Sequence, residues 1–240
     1  IHMIKGIIFD VDNTLIDFYR MKNISISESI DAMIDAGLKI KKDKAFKIIH
    51  EIFNELGIEA HHIFQKFSLK VLGKVDHKII AAAIVAHKLV WNSFLHTYPG
   101  VMETLIKLKQ KNIKLGIVSD ARKIHAYERL YGMRIVDFFD TIVAFDDTRK
   151  FKPAKRPFHH ALKKLKLKPE NCVMVGDWLK GDVGGAKKLG MVACLAKYGA
   201  PSNHDKKILS PSHLKKYKIK PDFILKEFRD IFDVVKKYST

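Results

Sequence analysis

The sequence predicts an α/β fold: a parallel sheet covered by helices on both faces, with an all-helical block inserted between its first and second strands. Two observations carry this. From about residue 100 onward, short apolar runs alternate with amphipathic stretches, which implies right-handed crossovers and parallel strands. Between residues 17 and 97 no run reads as a strand, and several apolar stripes recur at helical spacing.

Taken in order, residues 4–9 read as a buried strand that ends at Asp10. In the block that follows, Ile26, Ile30, Ile34 and Leu38 recur every four residues, and Ser25-Ile26-Ser27-Glu28 has the spacing of a capping box, with an earlier start of that helix as the alternative. Ala45, Ile48, Ile49, Ile52, Phe53 and Leu56 trace one helix face, with Gly57 as its stop. Ile80, Ile84, His87, Trp91 and Phe94 mark a face of the last helix, and Tyr98-Pro99-Gly100 closes the block. Strands are expected at 113–118, 141–145, 172–175, 191–196 and 223–225, and a helix at 183–189. Residues 199–220, rich in Lys, Pro and Ser, read as irregular. The expected division is residues 1–16 with 98–240 as the core and 17–97 as the inserted block.

Composition bounds the function. The chain has 240 residues, 47% hydrophobic and 29% charged, too apolar for a disordered tail. Its longest apolar run, 79–86, is far short of the roughly 18–20 residues that span a bilayer, so no membrane partner is expected. Asp10 interrupts the first apolar stretch, which argues against a secretory leader, and Ile1-His2-Met3 reads as a cloning remnant before a native Met3. Two cysteines form no disulfide framework and read as buried thiols, so a cytoplasmic location is expected. Lys and Arg number 44 against 26 Asp and Glu, a formal charge of +18. Nucleic-acid binding is one reading of that charge. But the lysines are spread along the whole chain with no interleaved aromatics to stack bases, which favours a solvated surface whose field draws in small anions.

The chemistry-bearing residues gather at strand ends. Asp10-Val11-Asp12-Asn13-Thr14 follows the first strand, and carboxylates two apart on an extended chain face the same way. Taken alone, that pair is as readily a polar turn as a site. The second strand ends in Val118-Ser119-Asp120, and the fourth runs into Gly176-Asp177-Trp178-Leu179-Lys180-Gly181-Asp182. Lys152-Pro153 stands before the helix that precedes the fourth strand. In an open parallel sheet this edge is where ligands bind. Several carboxylates crowded there are costly unless they hold a cation, and oxygen-only ligands suit Mg²⁺. Asp10, Asp12, Asp177 and Asp182 with Lys152 carry a formal −3, which a divalent cation brings to −1.

In order, Asp10-x-Asp12-x-Thr14, Ser119, Lys152-Pro153 and Gly176-Asp177-x-x-x-x-Asp182 resemble the four motifs of the haloacid dehalogenase-like (HAD) hydrolase superfamily, over residues 4–198. Residues 175–191 look like the archaeal and eukaryotic members of its helical-cap phosphatase branch. The resemblance implies a Rossmann-like core, with 17–97 in the place of a helical cap. Its two short connections, near 16–18 and 96–100, would let it swing as a unit, the alternative being a rigid second domain. It implies a Mg²⁺-dependent phosphomonoester hydrolase acting on a small phosphorylated metabolite. Asp10 is then the nucleophile that forms an aspartyl-phosphate, and Asp12 the acid and then the base. Ser119, Asp120 and Lys152 are the implied substrate-binding residues. The implied ligands of Mg²⁺ are the Asp10 side chain, the Asp12 main-chain carbonyl and Asp177, with Asp182 a ligand through water or an orienting group.

Two departures stand out. Asp120-Ala121 follows Ser119 where many relatives have Asn-Gly or Asp-Gly, and Ala154-Lys155-Arg156-Pro157 is more basic than usual. Rival readings on the same fold are a phosphosugar mutase and a 2-haloacid dehalogenase; Asp12 argues against the latter, whose members lack an acid there. A rival of another class is a nucleic-acid-binding or regulatory protein on an inactive scaffold, against which the intact motifs speak. Residues 176–181 have the glycine spacing of a Walker A loop, but Asp182-Val183 replaces its Lys and Ser/Thr. His61-His62 and His159-His160 lack cysteine partners at zinc spacing.

Overall fold

The computed structural model describes residues 3–56, 62–199 and 219–238. The chain falls into two compact units, Ile1–Asp17 with His96–Thr240, and Phe18–Leu95. The first holds a six-stranded parallel sheet of β1 (Gly6–Phe9), β2 (Lys114–Val118), β3 (Thr141–Val143), β4 (Cys172–Gly176), β5 (Val192–Ala196) and β6 (Phe223–Leu225). Their order across the sheet is β3-β2-β1-β4-β5-β6, and every pairing is parallel. The sequence leaves β1 toward one edge for two strands and then returns to its other side, which makes the ends of β1 and β4 the reversal point where such sheets bind ligands.

The central strands are apolar on both faces because both faces are covered. Ile7, Ile8 and Phe9 are wholly buried, as are Leu115, Ile117, Val173, Met174 and Val175. On one face Phe158, Ala161, Leu162 and Leu165 of the helix Lys155–Leu165 join Ile8, Val118 and Met174 in one cluster. Elsewhere in the core, Phe9 stacks on Phe228 at 5.4 Å between ring centroids. Each such buried side chain contributes about 1.5–3 kcal/mol, so the strand ends that carry polar groups sit on a stiff platform. Cys172 and Cys194 are buried free thiols, and burial pushes Cys172 up to about 12.

The second unit is helical among its described residues: α1 (Phe18–Asp35), α2 (Lys42–Leu56), α3 (Ile63–Leu72) and α4 (His77–Ser93). Ile26, Ile30, Ala45, Ile49, Ile52 and Phe67 form its core with Ile63, Ile79 and Ala83. The Asp76 side chain starts α4 by accepting the Lys78 and Ile79 N–H groups at 3.1 and 3.2 Å. On α4 it is Ile79, Ile80 and Ala83 that are fully buried, while Ile84, His87 and Trp91 are half-buried.

Three expectations change. Ser25–Glu28 is not a helix start but lies inside α1, where the Ser25 and Ser29 hydroxyls donate back to the carbonyls of Lys22 and Ser25. The third strand stops at Val143, because Phe145 opens the short helix α7 (Phe145–Thr148). The helix expected over 183–189 begins as a wide π-type turn, Leu179–Val183, and its α-helical part is only Gly184–Lys187. The helix after Lys152-Pro153 starts at Lys155, with Pro157 in its first turn. Gly57, His61 and residues 200–218 lie outside the described residues. Among those described, no helix is long and apolar enough to cross a membrane.

Candidate active site

Ladder bonds extend one residue past the strand ends and fix the first polar groups. The Asp10 N–H donates to the Val175 carbonyl and the Ser119 N–H to the Val143 carbonyl, each at 2.9 Å. Asp10 and Ser119 thus stand at the same edge of the sheet, both buried. The chain then turns at once. Asn13 takes a left-handed conformation at φ 55°, a turn Asn tolerates, and the Leu15 N–H returns to the Val11 carbonyl at 2.9 Å. Tyr198 secures this turn by donating its hydroxyl to the Thr14 carbonyl at 2.9 Å. Gly199 closes against it: a Cβ there would lie 1.4 Å from the Asn13 carbonyl oxygen, so only glycine fits.

Lys152 is the cation at the centre. Its side chain is buried, and Nζ lies 2.8 Å from Asp10 Oδ1 and 2.6 Å from Asp182 Oδ1. Burial works against its charge, but Asp10, Asp182 and Asp120 outweigh it and raise the ammonium above its ordinary value. The Asp120 carboxylate accepts the Lys152 N–H at 2.8 Å and so holds the loop that presents the lysine. Burial pushes Asp120 up, against the pull of Lys152. The Lys152–Pro153 peptide bond is cis.

Asp182 is fully buried, and its second oxygen accepts the Trp178 N–H at 2.9 Å while its own N–H returns to the Trp178 carbonyl at 2.8 Å. Gly176 makes room for it: a Cβ at residue 176 would lie 2.3 Å from the Asp182 carboxylate. Desolvation raises Asp182 to about 7 despite Lys152. Asp177 is also raised well above the ordinary range, first by desolvation and then by the charges of Asp10 and Asp182. One carboxylate oxygen from each of Asp10, Asp177 and Asp182 lies within 4.8 Å of the others. Such an oxygen-only donor set, strained by its own repulsion, fits a hard divalent cation.

Asp12 meets a basic side chain. Its Oδ2 lies 3.2 Å from Nη1 of Arg129, a buried guanidinium on α6 (Lys123–Gly132). Arg129 is the residue that motif reading missed. The signal was there: Ala126, Arg129, Leu130 and Met133 share one helix face and are all buried, so a lone Arg on an apolar stripe needs a partner. Ser119 Oγ accepts the Ala121 N–H at 3.1 Å, which orients the hydroxyl at the sheet edge. Among the other basic residues, Lys22 lies 4.1 Å over the Phe53 ring, Arg20 5.8 Å over Phe94, and Lys123 pairs with Asp147 at 2.7 Å.

Comparison with known proteins places the chain in a family. The model of the haloacid dehalogenase-like hydrolase family matches residues 4–190. A glyceraldehyde 3-phosphate phosphatase of Methanocaldococcus jannaschii is 37% identical over 190 residues, covering 79% of this chain and 83% of that protein. The pyrophosphatase PpaX of Oceanobacillus iheyensis is 28% identical over 232 residues, 97% of each chain. The crystal structure of a HAD phosphatase from Thermococcus onnurineus superposes with a TM-score of 0.64 at 21% identity, over 97% of this chain and 98% of that one, a likeness of fold. With the family model spanning most of the sheet and the whole acidic edge, the chain belongs to the haloacid dehalogenase-like hydrolases.

Proposed function

We propose that this protein is a Mg²⁺-dependent phosphatase of small phosphorylated metabolites that works through an aspartyl-phosphate on Asp10, with the helical unit as its cap. The observation that carries the reading is the Lys152 ammonium between Asp10 and Asp182, beside the carboxylate of Asp177. The names of the curated relatives, glyceraldehyde 3-phosphate phosphatase above all, support the reaction class.

In this reading Asp10 attacks phosphorus while the bond to the leaving oxygen breaks. Asp12 gives that oxygen a proton. Asp12 then takes a proton from the water that attacks the phosphorus of the aspartyl-phosphate, which releases phosphate and restores Asp10. The Ser119 hydroxyl and neighbouring N–H groups hold the phosphoryl oxygens. Lys152 offsets charge on Asp10 and on the phosphate, and Asp182 and Asp120 keep it aimed. Asp10, Asp177 and the Asp12 carbonyl would hold Mg²⁺, which when bound neutralises the phosphoryl oxygens. Stray water must be kept out of the first step and one water admitted to the second, a task for a hinged cap.

A panel of phosphomonoesters and pyrophosphate, assayed with Mg²⁺ and with Asp10→Asn as the blank, tests this. Hydrolysis of glyceraldehyde 3-phosphate ahead of pyrophosphate, lost in the variant, is expected. Full activity in excess chelator, with chloride released from 2-chloropropionate, would instead make the protein a dehalogenase.

A further inference from the structure

Arg129 is buried on the apolar face of α6, and it forms an ion pair with Asp12 Oδ2 at 3.2 Å. A guanidinium out of water is costly unless a carboxylate meets it, so the fold spends a buried charge on this contact. Asp12 itself is partly exposed and sits on a tight turn, just before left-handed Asn13. The backbone of that turn is anchored by Tyr198 and Gly199, whereas the Asp12 carboxylate pairs with Arg129. Arg stays charged at any working pH, so the pull of its Nη1 on Asp12 Oδ2 is always present.

We propose that Arg129 is a positioning residue for proton transfer: by holding one oxygen of Asp12 it sets the direction in which the carboxyl group meets the leaving oxygen. This rests on the phosphatase reading above. It does not make Arg129 a substrate contact. Its effect runs through Asp12, so it scales with how much the leaving group needs a proton.

That scaling is the test. Phenyl phosphate and p-nitrophenyl phosphate have nearly the same shape, but phenolate leaves unaided far less readily than nitrophenolate. With Mg²⁺ present, kcat/KM for each ester reports the transfer to Asp10 and excludes the later hydrolysis. Arg129→Met should lose on the order of 10²-fold on phenyl phosphate, the low end of what acid–base catalysis supplies. It should lose several-fold less on p-nitrophenyl phosphate. Arg129→Lys, which keeps the buried charge and guards against a variant that does not fold, should fall between wild type and Arg129→Met with the same bias. Equal losses on the two esters in the folded variants would overturn the proposal, because a looser fold slows both alike. A wild-type protein that hydrolyses neither ester would refute the phosphatase reading instead.

Discussion

Removing the ammonium of Lys152 leaves Asp10 and Asp182 facing each other with no cation between them. Lys152→Met should therefore destabilise the metal-free protein by about 3–5 kcal/mol in urea titration, the cost of orphaning buried charges. Part of that loss should return with added Mg²⁺. A variant as stable as wild type without metal would mean the carboxylates are not held by the lysine. Asp177→Asn removes one negative ligand, so the Mg²⁺ concentration needed for half-maximal activity should rise at least about tenfold, with chelation abolishing activity in wild type. Unchanged Mg²⁺ dependence would take Asp177 out of the metal site. At this scale the sequence was readable where residues stand at strand ends, since a polar residue after an apolar strand has few structural reasons to be there. It marked Arg129 only as a charge on an apolar stripe, because its partner lies more than a hundred positions away and is set by the packing of α6.

Among elements, α6 and α7 carry the loops that bear Asp120 and Lys152, and Asp146 and Asp147 tie them together. Asp146 accepts the Lys123 N–H at 2.6 Å, while Asp147 accepts the Ala144 N–H at 2.9 Å and pairs with Lys123 Nζ at 2.7 Å. Partial burial opposes the Asp147 charge, but the Ala144 N–H and the Lys123 ammonium prevail and hold its carboxyl below the ordinary value. A depressed carboxyl stabilises the fold above its unfolded-state pKa and loses that contribution as pH falls through the folded one. Asp147→Ala should thus cost about 1 kcal/mol at pH 7, and the gap to wild type should shrink below about pH 4. A gap independent of pH would leave only lost packing. Elements were legible where their pattern is long. The α1 and α2 stripes recur over several turns, whereas residues 179–187 switch from π to α because Asp182 and Gly176 must meet, a tertiary demand no local period announces. Ser25–Glu28 shows the reverse error: a local capping signal overridden because the α1 stripe already began at Phe18.

Over the whole molecule the excess of 18 positive charges sets a field that small anions feel before they reach the acidic edge. The value of kcat/KM for a phosphomonoester should fall several-fold between about 10 and 300 mM salt, as the Debye length shrinks from about 30 Å to under 10 Å. Salt-insensitive kcat/KM would assign the lysines to solubility alone. The strand order β3-β2-β1-β4-β5-β6 brings Asp10, Ser119 and Asp177 from distant parts of the sequence to one edge, and an aspartyl-phosphate on Asp10 is the claim on which the rest depends. Rapid acid quench during turnover of a radiolabelled phosphomonoester, followed by borohydride reduction and peptide mapping, tests it most directly. The account predicts phosphate carried as a hydroxylamine-labile acyl phosphate, with residue 10 recovered as homoserine and no trapping in Asp10→Asn. Steady turnover with residue 10 recovered only as aspartate, or label trapped on another side chain, would contradict it.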